Sequence, residues 1–416
     1  MSDLATPAPW GAADDAPRSA ELVFHGRRAP FFGLIVGGLL AMVPTLGLYR
    51  FWLVTRKRQV YWEQTELDGD ALEYTGTPVQ LLVGFLLAVL IFLPIYISLF
   101  YITIRAPDFS ALAYLVLVPG FYFLMGYAAY RSRRFRLSRT LWRGIRFQQS
   151  GNAWAYAWRR FWWTLVTILT LGLSYPFMAR SLWRYRIENT LFGDRRFCFE
   201  GRVRTIALPF YLAWVVVVAL AVLVSFLTVG AFSGAGSGPD MAALIAVVYG
   251  FALAGVGYLA WLYVSTRIDT RFWSSVRLGE ARLSLRIRAR DIALQHLVYA
   301  LALSLLAGVF GFAGTSLLAG MTAGIDIAGG APTQQDIARL MQTGSAAFVV
   351  LIAVYLAFVG LWSALAETIM GFGYWKIVVR RARVDNIESL NSARAAGTES
   401  PLAGEGLADA LNVGVY

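Results

Sequence analysis

The stretch FWWTLVTILTLGLSYPFMA (161–179) decides the architecture. It is apolar enough to enter a bilayer, and a spanning helix needs about 20 mostly apolar residues. It is also interrupted by Thr170-Leu171-Gly172-Leu173. Nine arginines fall in 131–160 before it, and seven in 180–205 after it. Basic residues in short loops mark the cytoplasmic side. A full crossing would therefore put two strongly basic stretches on opposite faces. We expect 161–179 to enter and return instead. The same holds for 31–53, which carries Thr45-Leu46-Gly47-Leu48. Backbone that leaves a helix at membrane depth survives only under cover of protein or a watery cavity. Both TLGL turns are thus expected to be buried against a bundle.

The rest of the chain fits that frame. Of its 416 residues 58% are hydrophobic and 15% charged, with a mean hydropathy of +0.57, against about 25% charge in a soluble domain. This excludes a disordered chain, a secreted disulfide scaffold and a soluble enzyme of ordinary surface. Six segments read as spans: 79–101, 111–130, 206–230, 242–264, 291–312 and 345–371. The loops 102–110, 231–241 and 313–344 hold only Arg105 and Arg339 as basic residues. The expectation is an all-α polytopic membrane protein with six transmembrane helices in three hairpins. Two broken re-entrant or interfacial segments and short cytoplasmic β-elements complete it, with both termini cytoplasmic. Eight full crossings is the alternative, at the cost of the charge anomaly. Residues 1–20 lack a basic-then-apolar leader, so no cleavable signal peptide is expected, only a disordered tail. The single Cys198 allows no intrachain disulfide. The net charge of +12 comes from arginines beside apolar spans, interleaved with Trp and Tyr. That points to anionic lipid rather than nucleic acid.

A shift of 125 residues aligns Gly26 with Gly151, the two TLGL turns, Glu63 with Glu188, Thr65 with Thr190 and Gly76 with Gly201. Such a gapless match indicates duplication. It divides the chain into repeat 1 (21–145), repeat 2 (146–264), a degenerate third unit (265–390) and a cytoplasmic tail (391–416). A shorter pattern recurs at a shift of 50: Thr140-Leu141 with Arg146-Phe147 and Gly151, then Thr190-Leu191 with Arg196-Phe197 and Gly201. Looser copies stand at Thr65–Gly76, Phe24-His25-Gly26, Val276–Leu285 and Asn386–Leu390. The alternation in Arg196–Gly201 has the period of a short strand. These elements are expected to pair into a small sheet at the cytoplasmic surface.

TLWRGIRF (140–147), the TLGL turns and IENTLFG…FCFEG (187–201) together resemble the YjgN-like family of bacterial inner-membrane proteins. The resemblance covers roughly 22–390. It implies an inner-membrane location and a duplicated multi-spanning fold, and it brings no assigned activity and no catalytic residues. Ser174 stands where the first copy has Tyr49, and the third unit lacks the TLGL turn.

No motif identifies a reaction: no phosphate-cradling loop, HExxH or nucleophile elbow is present, and the expectation is a protein that is not an enzyme. Two histidines and one cysteine without ligand spacing suggest no metal and no cofactor. His25 stands without a partner cluster, and His296 reads as a helix-end packing residue. Glu367, inside the last span, is a candidate for a substrate or ion path, since an ionisable group at depth is costly. Its bland counterpart is an acid near the cytoplasmic end, paired with an interfacial arginine. Glu63, Glu188, Thr45, Gly47, Thr170 and Gly172 are grouped with it as the duplicated halves of a site between broken helices; salt bridges to the basic ring are the simpler role for the two glutamates. Arg143, Arg146, Trp158, Arg159, Arg160 and Arg184 are candidates for an anionic lipid head group, beside the plainer reading of an interfacial aromatic belt. The functional expectation is a transporter or lipid-handling protein with membrane lipids as partners. The alternative is a non-catalytic scaffold or regulatory partner of another membrane protein, recruited through exposed strand edges.

Overall fold

A computed structural model describes residues 18–105, 107–233, 239–322, 334–396 and 409. Side chains at 106–113, 231, 233–240, 242 and 321–347 lie outside the description. Ten short strands close into one antiparallel barrel. They are β1 (Ser19–Phe24), β2 (Thr65–Leu67), β3 (Asp70–Tyr74), β4 (Thr140–Trp142), β5 (Ile145–Gln149), β6 (Thr190–Phe192), β7 (Arg195–Phe199), β8 (Val276–Leu278), β9 (Ala281–Leu285) and β10 (Ala382–Asp385). Each strand pairs with its sequence neighbour, and β1 closes the ring between β2 and β10.

The connections alternate. Tight turns join β2 to β3, β4 to β5, β6 to β7 and β8 to β9. Asp68-Gly69 and Arg143-Gly144 have positive φ at both positions, as the turns that match strand twist require. The other connections are helical hairpins. They are α1 (Arg28–Met42) with α2 (Arg50–Glu63), α3 (Pro78–Arg105) with α4 (Pro107–Ser138), α5 (Ala153–Leu169) with α6 (Tyr175–Glu188), and α7 (Arg204–Ser233) with α8 (Pro239–Trp273). The fifth runs from α9 (Ala289–Thr322) to α10 (Gln334–Leu365), a π-helical turn (Ala366–Gly371) and α11 (Phe372–Arg380). Every hairpin leaves one strand and returns to its neighbour, so all five rise from the same end of the barrel.

The recurring threonine has a local cause. Thr65, Thr140 and Thr190 each open a strand and donate to the carbonyl four residues back, of Tyr61, Arg136 and Arg186, at 2.7–2.9 Å. The hydroxyl satisfies a carbonyl that a helix end leaves orphaned. Ser275 does the same to Arg271 ahead of β8. Gly76 and Gly201 are needed because the rings of Tyr74 and Phe199 fold over them, within 2.5 Å of where a Cβ would stand. Inside the barrel Trp142, Phe192, Leu278 and Ala281 pack with Phe147 and Phe197, and Ile387 and Leu390 of a 3-10 segment (Ile387–Ser392) plug the turn end. Burying such side chains is the main drive to closure, at about 1.5–3 kcal/mol each.

These observations correct the sequence reading. The chain is not all-α: the short strands form a closed barrel, because hairpins returning to neighbouring strands leave no edge to stop the ladder. Nor do six helices qualify as spans. Five do among the described residues: α3, α7, α8, α9 and the continuous helix Phe348–Arg380. The segment expected at 111–130 lies in α4, whose apolar part carries Tyr114, Tyr122, Tyr127 and Tyr130 and runs straight into Arg131, Arg133, Arg134 and Arg136. The closed ring also removes the exposed strand edges on which the scaffold alternative relied. The expected amino-terminal tail ends sooner, since Ser19 already lies in β1; residues 1–17 are outside the described set. So is most of 391–416, apart from 391–396 and Asp409.

The TLGL turns differ too. Leu46 is 92% exposed and Leu171 80%, not buried against a bundle. Each turn satisfies its own backbone. Gly47 and Gly172 donate to Met42 and Thr167 carbonyls at 2.8 and 2.7 Å, which is the Schellman closure of a helix end. The hydroxyls of Thr45 and Thr170 donate one turn back, to Ala41 and Val166, and accept the amides of Tyr49 and Ser174. A self-satisfied turn needs no protein cover, so its leucines can face lipid.

Candidate anion-binding layer between barrel and helices

The arginine-rich helix ends converge where the hairpins meet the barrel. The first cluster is a groove of about 520 Å³ beside the α5–α6 hairpin, lined by Arg159, Trp163, Arg180, Arg184, Tyr185 and Glu188 among others. Arg159 lies 4.7 Å over the Tyr185 ring. Arg184 Nε donates to Glu188 at 2.8 Å, and Arg180 Nε to the Gly201 carbonyl at 2.8 Å. The Tyr185 hydroxyl is fixed against the Asn152 backbone, the amino-terminal cap of α5. Three guanidinium groups with one carboxylate leave a net positive groove, suited to a phosphate or carboxylate. A second arginine groove of about 400 Å³, with Arg267, Arg288 and Arg290, lies where α8 and α9 meet the barrel.

The other expected head-group residues lie elsewhere. Arg143 sits on the β4–β5 turn at the far end of the barrel, clamped by Asp68, Asp70 and Asn391. The hydrogen bond to Asp70, with Asp68 beside it, raises its pKa. Arg146 donates to the Ser138 carbonyl. Arg160 turns to Tyr122, 5.0 Å over its ring. Trp158 is exposed and stacks on Phe161. The structure thus brings Arg159 and Arg184 together and adds Arg180.

Glu367 is placed with unusual backbone. It is the second residue of the π-helical turn and accepts from Lys57 Nζ of α2 at 2.7 Å. The wider turn frees the Ile369 and Met370 carbonyls, and the Gln295 amide of α9 donates to both, at 2.6 and 2.8 Å. Gln295 Oε1 and the Thr368 hydroxyl are buried there without hydrogen-bond partners among the described residues. Single π turns concentrate at functional sites. Glu188 pairs with Arg184, while Glu63 is exposed at the end of α2. Thr45 and Gly47 belong to one exposed turn, Thr170 and Gly172 to the other. The second meets α7, whose Trp214 and Tyr211 donate to the Leu171 and Leu173 carbonyls. His25 contacts Glu66 at 2.9 Å, and His296 lies edge-on to Tyr258.

Two features escaped the sequence reading. The barrel encloses a cavity of about 230 Å³ with an almost wholly apolar lining of Phe147, Phe192, Phe197, Leu278 and others. Arg133 lines it too, its Nε buried without a hydrogen-bond partner among the described residues. Burial, then the charges of Arg186 and Arg136, push its pKa down to about 9, so it stays charged at neutral pH. The other feature is a buried carboxylate cradle. Arg58 of α2 forks onto Asp409, with Nη2 at 2.9 Å from Oδ1 and Nη1 on Oδ2. Ser132 of α4 donates to Oδ1 at 2.8 Å, and Arg136 Nε stands 3.8 Å away. The Tyr74 hydroxyl accepts from Arg58 at 3.0 Å. Burial opposes the charge on Arg58, but the attraction of Asp409 and Tyr74 outweighs it and raises the pKa. Burial likewise raises that of Tyr74. No sequence pattern links these residues.

A closed barrel that carries helical hairpins at one end, five of its described helices being long and apolar enough to cross a bilayer, defines a membrane protein with arginine-rich helix ends next to the barrel. Residues 19–313 match the model of the family described as bacterial protein of unknown function (DUF898), the YjgN family, and the chain belongs to that family. No curated protein and no solved structure matches it.

Proposed function

We propose that the protein is a lipid-handling protein of the bacterial inner membrane that binds anionic phospholipid at the groove beside α5–α6. The barrel stands on the cytoplasmic side, where arginines within short loops accumulate. The hairpins α1–α2 and α5–α6 dip into one leaflet and return. The observation that carries the proposal is the meeting of Arg159, Arg180 and Arg184 in one groove against a hairpin with exposed Ile168, Leu169 and Leu171. A head-group phosphate meets the guanidinium groups while acyl chains lie along the apolar tip. Each basic residue near an anionic surface contributes about 1 kcal/mol, and a charge-assisted hydrogen bond about 1.5–3 kcal/mol. Such a groove holds a head group without any covalent step.

The test is lipid retention. Purified protein in zwitterionic detergent is titrated with phosphatidylglycerol or phosphatidylcholine, and bound lipid is counted by native mass spectrometry. Arg159→Gln with Arg184→Gln should weaken phosphatidylglycerol binding at least about tenfold, the fold-change for about 1.4 kcal/mol, and leave phosphatidylcholine unchanged. Equal phosphatidylglycerol retention in the double variant sinks the proposal.

A further inference from the structure

We propose that the barrel interior is a binding site for an unbranched aliphatic carboxylate, with the chain in the apolar cavity and the carboxylate on Arg133. The cavity of about 230 Å³ is walled by aromatic and aliphatic side chains of the strands, Phe147, Phe192 and Leu278 among them. Arg133 of α4 enters it from the helix end of the barrel, beside Leu137. The lining therefore joins a hydrocarbon wall from the strands to one guanidinium from the helix layer. An apolar cavity of about 150 Å³ already takes up benzene, so this one accommodates an acyl chain of medium length. A chain lying there meets the wall on every side, and the many small contacts add up.

Charge sets the head group. Arg133 Nε is buried without a hydrogen-bond partner among the described residues, and so is Nε of Arg186 on α6. The two guanidinium groups repel, and Arg136 adds a third like charge. Arg186 lies 5.1 Å over the Trp183 ring. The Asp269 carboxylate, which attracts Arg186, is held by the Tyr374 hydroxyl at 3.1 Å. Among the described residues no carboxylate pairs with Arg133. A buried cation without an anion is costly, so an anion that enters the cavity is drawn to it. One guanidinium fork in an otherwise apolar wall suits a carboxylate, which it holds by two parallel bonds. A phosphate would bring more oxygens than that single fork satisfies, and a polar oxygen left against hydrocarbon is penalised. The site is separate from the groove at Arg159 and Arg184, and each can fail without the other.

The experiment uses the full chain in non-ionic detergent and octanoate labelled at its carboxyl carbon. The carboxyl resonance and calorimetry read binding, octanol serves as the neutral chain, and thermal unfolding checks the fold. Octanoate should bind saturably, one to one, and at least about tenfold more tightly than octanol, as a charge-assisted hydrogen bond implies. Arg133→Met should weaken octanoate at least about tenfold and leave octanol within about threefold of wild type. That variant removes a buried charge set among like charges, so it should melt no lower than the wild type. Ala281→Leu, which fills the cavity from the strand side, should block both ligands. Phosphatidylglycerol retention at the α5–α6 groove should be the same in both variants as in the wild type. If octanoate does not bind saturably, or binds folded Arg133→Met or Ala281→Leu as tightly as the wild type, the proposal is overturned.

Discussion

Glu367 is costly only if alone. In a helix apolar enough to span a bilayer an unpaired carboxylate is expensive, yet here Lys57 of α2 lies 2.7 Å away and both side chains remain partly exposed. The pair ties the α1–α2 hairpin to the last helix, at the π turn that Gln295 holds open. Removing one partner leaves the other charge without its counter-ion. Glu367→Gln and Lys57→Met should therefore each lower stability by about 1–3 kcal/mol, and the double variant by less than the two together. Thermal unfolding in detergent checks this; strictly additive losses would mean that the two groups are not coupled. The pairing was half legible: the sequence marks Glu367 as an acid that could pair at the interface, with an arginine as the expected partner, and the structure supplies Lys57 instead. Nothing in the sequence selects Lys57 over the many arginines, because the partner is set by how α2 stands against the last helix.

Among elements, the β-hairpins carry the fold. Their turn Gly193 has φ +57°, and a Cβ there would come within 2.2 Å of the Arg394 carbonyl. That carbonyl accepts the Asp194 amide, and Asp194 Oδ1 accepts the Arg394 amide at 3.0 Å. The turn thus pins the chain just past the 3-10 plug. Gly193→Ala should displace the plug, costing about 1–3 kcal/mol and raising hydrogen exchange at Ile387 and Leu390 before it rises elsewhere. Phe192→Ala, on a ring buried among Trp142 and Phe147, should cost about 3–5 kcal/mol, read in the same melts. The strands themselves were visible as recurring Thr-Leu and Arg-Phe pairs. Three-residue strands are too short to display an alternation, so their number and pairing were not. The fifth β-unit was hidden for another reason: β10 and β1 come from opposite ends of the chain, and no repeat search joins them.

For the whole molecule, closure fixes topology. The offset of 125 residues is two β-hairpin units, one with the broken helix pair and one with the longer pair, which is why two repeats and a remnant stood out where the structure has five hairpins on a ring. Each helical hairpin starts and ends on adjacent strands, for example α5–α6 between β5 and β6, which pair through Phe147 and Phe192. Whatever depth a hairpin reaches, its two ends return to one barrel. Every arginine-rich helix end therefore shares one compartment, independent of how many helices cross. Reporter tags inserted beside Asn152, after β5, and beside Asp194, on the β6–β7 turn, should answer from the same side, as should one beside Glu280 on the β8–β9 turn. Accessibility to a membrane-impermeant reagent in intact cells, compared with opened ones, measures this. A split answer between Asn152 and Asp194 would require α5–α6 to cross the membrane once and would break the β5–β6 ladder. The closed barrel does not survive that outcome, and with it would go the meeting of Arg159, Arg180 and Arg184 beside α5–α6.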